Sequence, residues 1–242
     1  MDYQNSEIAG LYDIAHPRAE DTDFYLSLAG RHPRSVLDLG CGTGTLCCDL
    51  AAQGHEVTGV DPAAAMLALA VRKPYADRVE WVESTAQNFR SNGRFDLIVM
   101  TGHAFQVLLS DDDAQAALET MRRHLNDGGR IAFETRNPQM DWVGEWSARS
   151  PRSLPGGQFE ETLKIVEADA EFITFETCYR SADHTITTSS TLRFRSREQV
   201  EKLIARSGLL MLNVLGDWAG GPFDPERSCE IICLAQVGRA GF

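Results

Sequence analysis

The chain has 242 residues, of which 43% are hydrophobic and 24% are charged, as in globular proteins that bury one large α/β core. Its formal net charge of −12 argues against a nucleic-acid partner, because neutralising phosphates supplies much of the affinity for DNA and RNA. No apolar run is long enough for a transmembrane helix, and the polar first residues lack the apolar segment of a secretory signal peptide.

The six cysteines form no C-x-x-C pair, and no histidine stands at zinc-finger spacing. This pattern predicts reduced thiols in a cytoplasmic protein without a metal site. Three aspartates follow Ser110; we interpret them as the first turn of a helix, since a serine N-cap and acidic residues both stabilise a helix start.

The first 30 residues predict two short helices, separated at His16 and Pro17. From residue 34 to about 135, apolar strands alternate with amphipathic helices. Strands are predicted at 35–39, 56–60, 79–83, 95–100 and 130–135. Helices are predicted at 45–53, 62–72 and 111–125, with a weaker one at 85–90 and a turn at 126–129. This alternation indicates βαβ units and a parallel sheet, whose ligand crevice lies at the carboxyl ends of the strands.

Beyond residue 136 the pattern changes to period two. Residues 158–167, 171–180 and 184–195 predict a three-stranded antiparallel meander, because short turn-like segments separate them. A helix at 196–207 and two strands at 209–215 and 229–236 complete the chain. The last two strands are expected to pair antiparallel at the edge of the main sheet.

The most informative segment is VLDLGCGTG, which begins at Val36 and ends at Gly44. An apolar strand ends near Asp38, and three glycines then alternate with other residues before a helix begins at about Thr45. Glycines permit unusual φ values and remove Cβ atoms that would block a ligand, and the helix start offers free N–H groups. The next strand ends at Asp61, an acid suited to a ribose diol.

Two cofactor classes use this arrangement. A dinucleotide fingerprint has G-x-G-x-x-G, whereas this chain has G-x-G-x-G, and the carboxylate of Asp38 suits a cationic amine better than a diphosphate. The segments VLDLGCGTG and VTGVDP resemble the first two motifs of class I S-adenosylmethionine-dependent methyltransferases. A nicotinamide-dependent oxidoreductase and a non-enzymatic S-adenosylmethionine-binding protein are the alternatives.

The resemblance implies a cofactor site. It places Asp38, Gly40, Cys41 and Gly42 around the methionine moiety and lets Asp61 accept hydrogen bonds from both ribose hydroxyls. The alternative role of Asp61 is helix capping ahead of Pro62. The remaining cofactor-binding residues expected from the resemblance are Tyr12 in an N-terminal lid, Pro62 and Met66 beside adenine, Thr85, Ala86 and Thr101. Many relatives carry G-D-A after the third strand, where this chain has Ser84-Thr85-Ala86, so the adenine contacts differ.

The acceptor side is less defined. His103 follows the fourth strand and is a candidate general base, since imidazoles ionise near neutral pH; its alternative role is packing against the cofactor. The candidate substrate-binding residues are Arg136, Trp142, Tyr179, Arg193 and Trp218. Arg136 directly follows a strand end, where a guanidinium can hold a carboxylate or phosphate. The family motif D-P-P-Y, which serves base and glutamine amides, is absent after the fourth strand.

The resemblance thus implies a Rossmann-like α/β fold: a seven-stranded doubly wound sheet with an antiparallel C-terminal strand and a three-stranded antiparallel β insertion. Residues 1–33 are expected to form a helical lid, 34–138 and 196–242 the S-adenosylmethionine-binding domain, and 139–195 the insertion that sets acceptor specificity. The expected reaction is direct methyl displacement by nitrogen or oxygen of a small molecule. We expect a monomer or homodimer, without a metal, membrane or nucleic-acid partner.

Overall fold

The computed structural model describes residues 4–238, which form two β-sheets and seven α-helices. The helices are α1 (Ser6–Ala15), α2 (Glu20–Ala29), α3 (Thr45–Ala52), α4 (Ala64–Ala70), α5 (Asp111–His124), α6 (Trp142–Ser147) and α7 (Arg197–Arg206). The strands are β1 (Ser35–Leu39), β2 (Glu56–Asp61), β3 (Val79–Glu83), β4 (Phe95–Met100), β5 (Leu125–Arg136), β6 (Arg152–Ser153), β7 (Glu160–Ala168), β8 (Phe172–Arg180), β9 (Thr185–Arg193), β10 (Leu209–Leu215) and β11 (Glu230–Val237).

The main sheet has seven strands in the order β10-β11-β5-β4-β1-β2-β3. Strands β1 to β5 pair parallel, and β11 pairs antiparallel with both β5 and β10. The predicted fold class is therefore confirmed, including the antiparallel strand near the C-terminus. The strand order reverses between β1 and β4, and ligand crevices of open α/β sheets lie at such a point.

Both faces of this sheet are covered, because its buried strands are apolar on each side. Helices α5 and α7 contribute Leu118, Met121 and Leu203 to the core on one face. Helices α2 and α3 contribute Leu26 and Leu50 to the core on the other face. This arrangement leaves the strand ends, rather than the sheet faces, open to a ligand. Within residues 4–238, no helix is both long and apolar enough to cross a membrane.

The insertion forms a separate antiparallel sheet in the order β6-β7-β8-β9. The three predicted strands are present, and β6 adds a fourth that was not predicted because it contains only two residues. Helix α6 was also not predicted; it has six residues and begins where the Asp141 carboxylate accepts a bond from Gly144 N at 2.8 Å. The insertion therefore has one more strand and one more helix than expected.

Two local predictions were wrong. Residues 85–90 form a turn rather than a helix, with Thr85 O accepting bonds from the amides of Asn88 and Phe89. Strand β5 begins at Leu125 rather than 130, and residues 126–129 bulge out of it, because the pairing with β4 shifts from Phe95–Leu125 to Leu97–Arg130; the predicted turn therefore lies within the strand. Asn126 Nδ2 supports that extension by donating to the Asp96 carboxylate at 2.8 Å. The predicted domain limits at residues 1 and 242 lie outside the described residues.

Candidate active site

The glycine turn after β1 lies against the end of β2. The amides of Gly40 and Cys41 both donate to Val60 O, at 2.7 and 3.0 Å. Gly40, Gly42 and Gly44 all have positive φ angles, of 82°, 55° and 72°, which glycine adopts readily and other residues rarely do. The predicted role of these glycines in backbone conformation is therefore confirmed.

The glycines were also expected to leave room for a ligand, and what a Cβ would contact differs among the three positions. A Cβ at Gly44 would clash with the ring of Trp81, so that glycine makes room for protein packing instead. A Cβ at Gly40 would lie 3.0 Å from Ala104 Cβ. At Gly42 the nearest atom would be Tyr12 Cε1, 3.9 Å away, so this glycine faces the side chain expected to cover the cofactor.

Asp38 carries the strongest indication of a bound cation. Its side chain is 1% exposed, and Oδ1 has no hydrogen-bond partner among the described residues. Oδ2 accepts only a weak bond, from Cys47 Sγ at 3.4 Å. Burial raises the pKa of Asp38 to about 7, with Asp61 and Glu134 adding to the shift. Because a buried carboxylate oxygen is costly to leave unpaired, Asp38 fits the ammonium group of S-adenosylmethionine.

Asp61 lies at the end of β2, and its carboxylate accepts two backbone bonds. Oδ1 accepts a bond from Ala63 N at 2.8 Å, which caps the segment leading into α4. Oδ2 accepts a bond from Gly42 N at 2.8 Å. Each carboxylate oxygen has a second lone pair available for a ligand hydroxyl. The capping bond is therefore observed, while the bonds to a ribose stay a prediction.

Tyr12 of α1 spans the gap between the glycine turn and the loop after β4. Its ring faces Gly42, and its hydroxyl would lie 3.7 Å from a Cβ at Gly102. Burial, with further contributions from Asp61 and Asp13, raises the pKa of Tyr12 to about 12, so the phenol keeps its proton at neutral pH. This position agrees with the expected covering of the cofactor by Tyr12.

Helix α1 is held over the crevice by polar contacts on both sides of Tyr12. The carboxylate of Asp13 pairs with Lys73 Nζ at 2.7 Å and accepts a bond from the Thr43 hydroxyl. At the start of the helix, Gln4 Nε2 donates to Pro62 O at 2.7 Å. Because Thr43 and Pro62 belong to the two motif loops, these contacts attach the N-terminal segment directly to the glycine turn and to the segment after Asp61.

The remaining predicted cofactor residues lie on α4 and on the loops that follow β2, β3 and β4. Met66 is 1% exposed and packs between α1 and α4, in a cluster with Ala9 and Ala63. The Thr85 hydroxyl accepts a bond from Asn88 N at 3.3 Å. Ala86 packs against the main core, and Thr101 O accepts a bond from Ala104 N at 3.2 Å. Contacts of Pro62, Met66, Thr85, Ala86 and Thr101 with a cofactor stay predictions.

His103 lies on the loop after β4 and is held by two carboxylates. Its backbone is left-handed, with φ of 59°, and its amide donates to Glu134 Oε1 at 2.6 Å. Its ring Nε2 lies 2.9 Å from Glu230 Oε2 and 3.1 Å from Oε1. This His103–Glu230 pair has the form of a base oriented by an acid, because a bond at Nε2 leaves Nδ1 as the acceptor.

Sequence reasoning missed both acids. Glu134 is fully buried in β5 and also accepts a bond from the Tyr25 hydroxyl of α2. Burial raises its pKa, whereas the bonds from Tyr25 and His103 oppose that shift. The available signal was an acidic residue after the apolar run Ile131–Phe133, in a strand that should be buried on both faces. Glu230 gave no comparable signal, because its position opposite Arg136 depends on strand pairing.

Arg136 is placed beside the indoles of α6. Its guanidinium lies 5.6 Å from the ring of Trp142 and 5.3 Å from that of Trp146. Its Nη1 donates to the side chain of Gln106 at 2.8 Å, and burial lowers its pKa. Trp142 itself is buried and donates from Nε1 to Asn137 O at 2.7 Å. The structure therefore brings Arg136 and Trp142 together, with Trp142 as a packing surface.

The other three acceptor candidates lie farther apart. Tyr179 is buried against α1, and its pKa is raised by burial and by Glu161. Arg193 pairs with Asp111 and Glu171, each at 2.9 Å, which ties the insertion to the start of α5. Trp218 packs against α2, with its ring 5.6 Å from Phe24. Their roles in acceptor binding stay predictions, and only Tyr179 lies beside the helix that carries Tyr12.

The raised pKa of Asp38 gives the first testable prediction. An ammonium beside this carboxylate favours its ionised form, so binding of S-adenosylhomocysteine should release a proton near neutral pH. Affinity should be about tenfold higher at pH 8 than at pH 6 for a carboxyl that titrates near 7. Calorimetry in buffers of different ionisation enthalpy measures both effects. Asp38→Asn should remove the pH dependence; pH-independent binding by the wild-type protein would contradict the assignment.

Comparisons with known proteins match this chain to methyltransferases. A family model described as a methyltransferase domain matches residues 36–129. The cypemycin N-terminal methyltransferase of a Streptomyces species is 27% identical over 210 residues, covering 84% of this chain and 83% of that protein. A ubiquinone biosynthesis O-methyltransferase of Pseudomonas putida is 32% identical over 142 residues, covering 56% of this chain and 58% of that protein.

A solved structure extends the likeness to the fold. The S-adenosylmethionine-bound CalS10, an amino pentose methyltransferase from Micromonospora echinaspora, has a TM-score of 0.68 and 19% identity, covering 93% of this chain and 95% of that chain. The matched domain contains the glycine turn, Asp38 and Asp61, and the fold carries the antiparallel strand near its C-terminus. Residues 36–129 therefore match a methyltransferase domain, and the chain is similar in sequence and in fold to class I S-adenosylmethionine-dependent methyltransferases.

Proposed function

We propose that the enzyme methylates the nitrogen of a small-molecule amine by direct displacement. The observation that carries this proposal is the His103–Glu230 pair, at 2.9 Å, at the strand ends where the acceptor is expected. An alkyl amine is protonated at neutral pH and has no lone pair to attack with until a base removes a proton. A histidine oriented by a carboxylate provides such a base.

The charge of the site supports an amine. Asp38, Asp61 and Glu134 are all buried, and Glu230 lies at the same edge of the sheet. Carboxylates in low-dielectric surroundings favour a cationic ligand over an anionic one. The Streptomyces relative is named for an N-terminal acceptor, and CalS10 is named for an amino pentose. The Pseudomonas relative is an O-methyltransferase, so oxygen is the competing acceptor atom.

We assign each residue of the site a role from its position. Asp38 holds the cofactor's ammonium group, Asp61 its ribose hydroxyls, and Tyr12 covers the crevice so that water is excluded. When bound, S-adenosylmethionine supplies a methyl group on a positively charged sulfur that a free lone pair can displace. His103 Nδ1 accepts the amine proton, and Glu230 stabilises the resulting imidazolium. Most of the rate enhancement is expected from positioning.

The experiment that tests this function is a methyl-transfer screen with matched amines and alcohols. Purified enzyme is incubated with labelled S-adenosylmethionine and each acceptor, and products are assigned by mass and fragmentation. Transfer to amines, with little to the matched alcohols, supports nitrogen as the acceptor atom. Transfer confined to alcohols would refute it. The cytoplasmic location, the absence of a nucleic-acid partner, and the monomeric or homodimeric state stay predictions.

Arg136 gives a second testable prediction, as an anchor for an oxygen of the acceptor. Arg136→Met keeps the apolar stem against the indoles while it removes the guanidinium. The KM for the acceptor should rise about tenfold, in keeping with a charge-assisted hydrogen bond, whereas the affinity for S-adenosylhomocysteine should change little. The measurement is steady-state kinetics with the best acceptor of the screen.

Arg149→Met is the matched control for that variant. Arg149 also lies over Trp146, at 5.8 Å, but its side chain is 51% exposed and faces solvent. This variant should leave the acceptor KM unchanged. Equal KM values for wild type and Arg136→Met would remove Arg136 from the acceptor site and leave it as a packing residue of α6.

A further inference from the structure

The inner face of the insertion sheet is the face that packs against α1 and α6. Along β8 and β9, the residues on this face are apolar at both ends and polar in the middle. At one end, Tyr179 and Ile186 pack with Ile8 and Leu11 of α1. At the other end, Phe175 and its neighbours pack with Trp142 and Trp146 of α6. Between these two clusters, the paired positions on β8 and β9 are Thr177 with Thr188 and Phe175 with Ser190.

Two polar side chains of this face, those of Thr188 and Ser190, lack hydrogen-bond partners among the described residues. Thr188 is 4% exposed and Ser190 is 6% exposed, and neither hydroxyl has a hydrogen-bond partner among the described residues. The indole N–H of Trp146 is also buried without one. On the opposite face of the same strands, Thr174 and Thr191 bond to each other at 2.8 Å. Unpaired buried hydroxyls cost free energy, so those on the inner face indicate a ligand.

Thr188 and Ser190 lie between α1, which carries Tyr12, and the indole of Trp146, which lies beside Arg136. One flank of the polar segment touches α1, whose Tyr12 covers the glycine turn. The other flank touches Trp146, which stacks edge-on against Phe175 at 5.2 Å and lies under the Arg136 guanidinium. The Gln106 side chain, which binds Arg136, also donates to Arg193 O at 3.2 Å and so fixes β9 against the loop of His103.

We propose that Thr188, Ser190 and the Trp146 indole N–H form an acceptor subsite for an amine whose carbon skeleton carries hydroxyl groups, of the amino sugar class. This inference rests on the proposed function, since it names the acceptor that the His103–Glu230 pair deprotonates. A protein hydroxyl both donates and accepts a hydrogen bond, as a sugar hydroxyl does, and the indole N–H donates to a sugar oxygen. A hydrocarbon amine would leave all three groups unpaired.

The test compares two probes and four variants. The probes are a methyl 3-amino-3-deoxyhexoside and cyclohexylamine, which has a similar ring and no hydroxyls. Thr188→Val and Ser190→Ala remove one hydroxyl each at nearly constant shape. Thr187→Val and Ser189→Ala are the matched controls, because these residues are exposed on the other face of β9. Kinetics for each probe are combined with calorimetry of S-adenosylhomocysteine and with melting temperatures.

For the amino glycoside, each inner-face variant should raise KM roughly three- to tenfold, the range expected for one neutral hydrogen bond. Its kcat, the affinity for S-adenosylhomocysteine and the kinetics with cyclohexylamine should stay unchanged. The melting temperature of Thr188→Val should stay equal or rise, because the variant removes an unsatisfied group. The two outer-face controls should match the wild type with both probes.

Several outcomes overturn the subsite. An unchanged KM for the amino glycoside in both inner-face variants does so, and a lower melting temperature with unchanged KM would assign the hydroxyls a structural role. Equal kcat/KM for the two probes in the wild type also refutes it. The subsite and the proposed function can fail separately. Suppose that the amino glycoside binds the S-adenosylhomocysteine complex and that Thr188→Val and Ser190→Ala weaken this binding, but that methyl is transferred only to the analogue with a hydroxyl in place of the amine. The subsite is then supported, and nitrogen as the acceptor atom is refuted.

Discussion

Replacing Asp61 by alanine should weaken the binding of S-adenosylhomocysteine by roughly ten- to a hundredfold. The carboxylate is buried at the end of β2 and already accepts bonds from Gly42 N and Ala63 N at 2.8 Å. Its two remaining lone pairs are those expected to bind the ribose hydroxyls, and hydrogen bonds to a charged group contribute ~1.5–3 kcal/mol. Calorimetric titration of the variant measures the dissociation constant directly.

The same substitution also removes a cap, so its effect on stability must be separated. Loss of a capping side chain costs roughly 0.5–2 kcal/mol of folding free energy. Asp141→Ala is the matched control, because Asp141 caps α6 through Gly144 N at the same distance, 2.8 Å, away from the glycine turn. It should lower stability comparably while leaving the dissociation constant unaltered. A folded Asp61→Ala protein with wild-type affinity would show that Asp61 serves capping alone.

The cofactor half of the site could be predicted because it depends on local sequence. Apolar strands of five or six residues, three alternating glycines and an acid at each strand end together specify a turn against the edge of a parallel sheet. The observed bounds of β1, β3 and β4 equal the predicted ones. Errors within this half came from longer-range contacts: Gly44 accommodates Trp81, which lies on β3 two strands away.

The acceptor half was harder to predict because its residues come from distant segments. Glu230 meets His103 across 127 positions of sequence, through the antiparallel insertion of β11 beside β5. Trp142 and Trp146 point into the core of the insertion because α6 exists, and six residues give too little periodicity to predict a helix. Arg193 is the last residue of β9, but its ion pairs with Asp111 and Glu171 depend on how the insertion packs against the start of α5.

Coupling between the lid and the site is a consequence of this packing. Asp13 of α1 contacts the glycine turn, and Gln4, just before the helix, contacts the segment after Asp61. The helix also contacts the insertion through Ile8 and Leu11. Helix α1 therefore packs against the apolar end of the insertion sheet as well as against the cofactor loops.

The largest expected effect on catalysis is that of His103→Gln, which should lower turnover by about 10²–10⁴-fold, the usual contribution of a general base. Glutamine can still donate to Glu230, so the loop geometry is conserved while the proton acceptor is lost. An imidazole acts as a base only when neutral, so wild-type turnover should fall toward acidic pH, and this limb should flatten in the variant. Turnover is measured at saturating cofactor, which separates the effect from the titration of Asp38.

Two further variants distinguish a base from a packing residue. Glu230→Gln should lower turnover less than His103→Gln, because it weakens the stabilisation of the imidazolium but leaves the base in place. His184→Gln is the matched control: His184 pairs with Glu7 at 3.3 Å on the exposed turn between β8 and β9, and its loss should leave turnover unchanged. Wild-type turnover and pH dependence in His103→Gln, with a normal affinity for S-adenosylhomocysteine, would reduce His103 to a packing residue beside Glu134 and leave positioning as the source of catalysis.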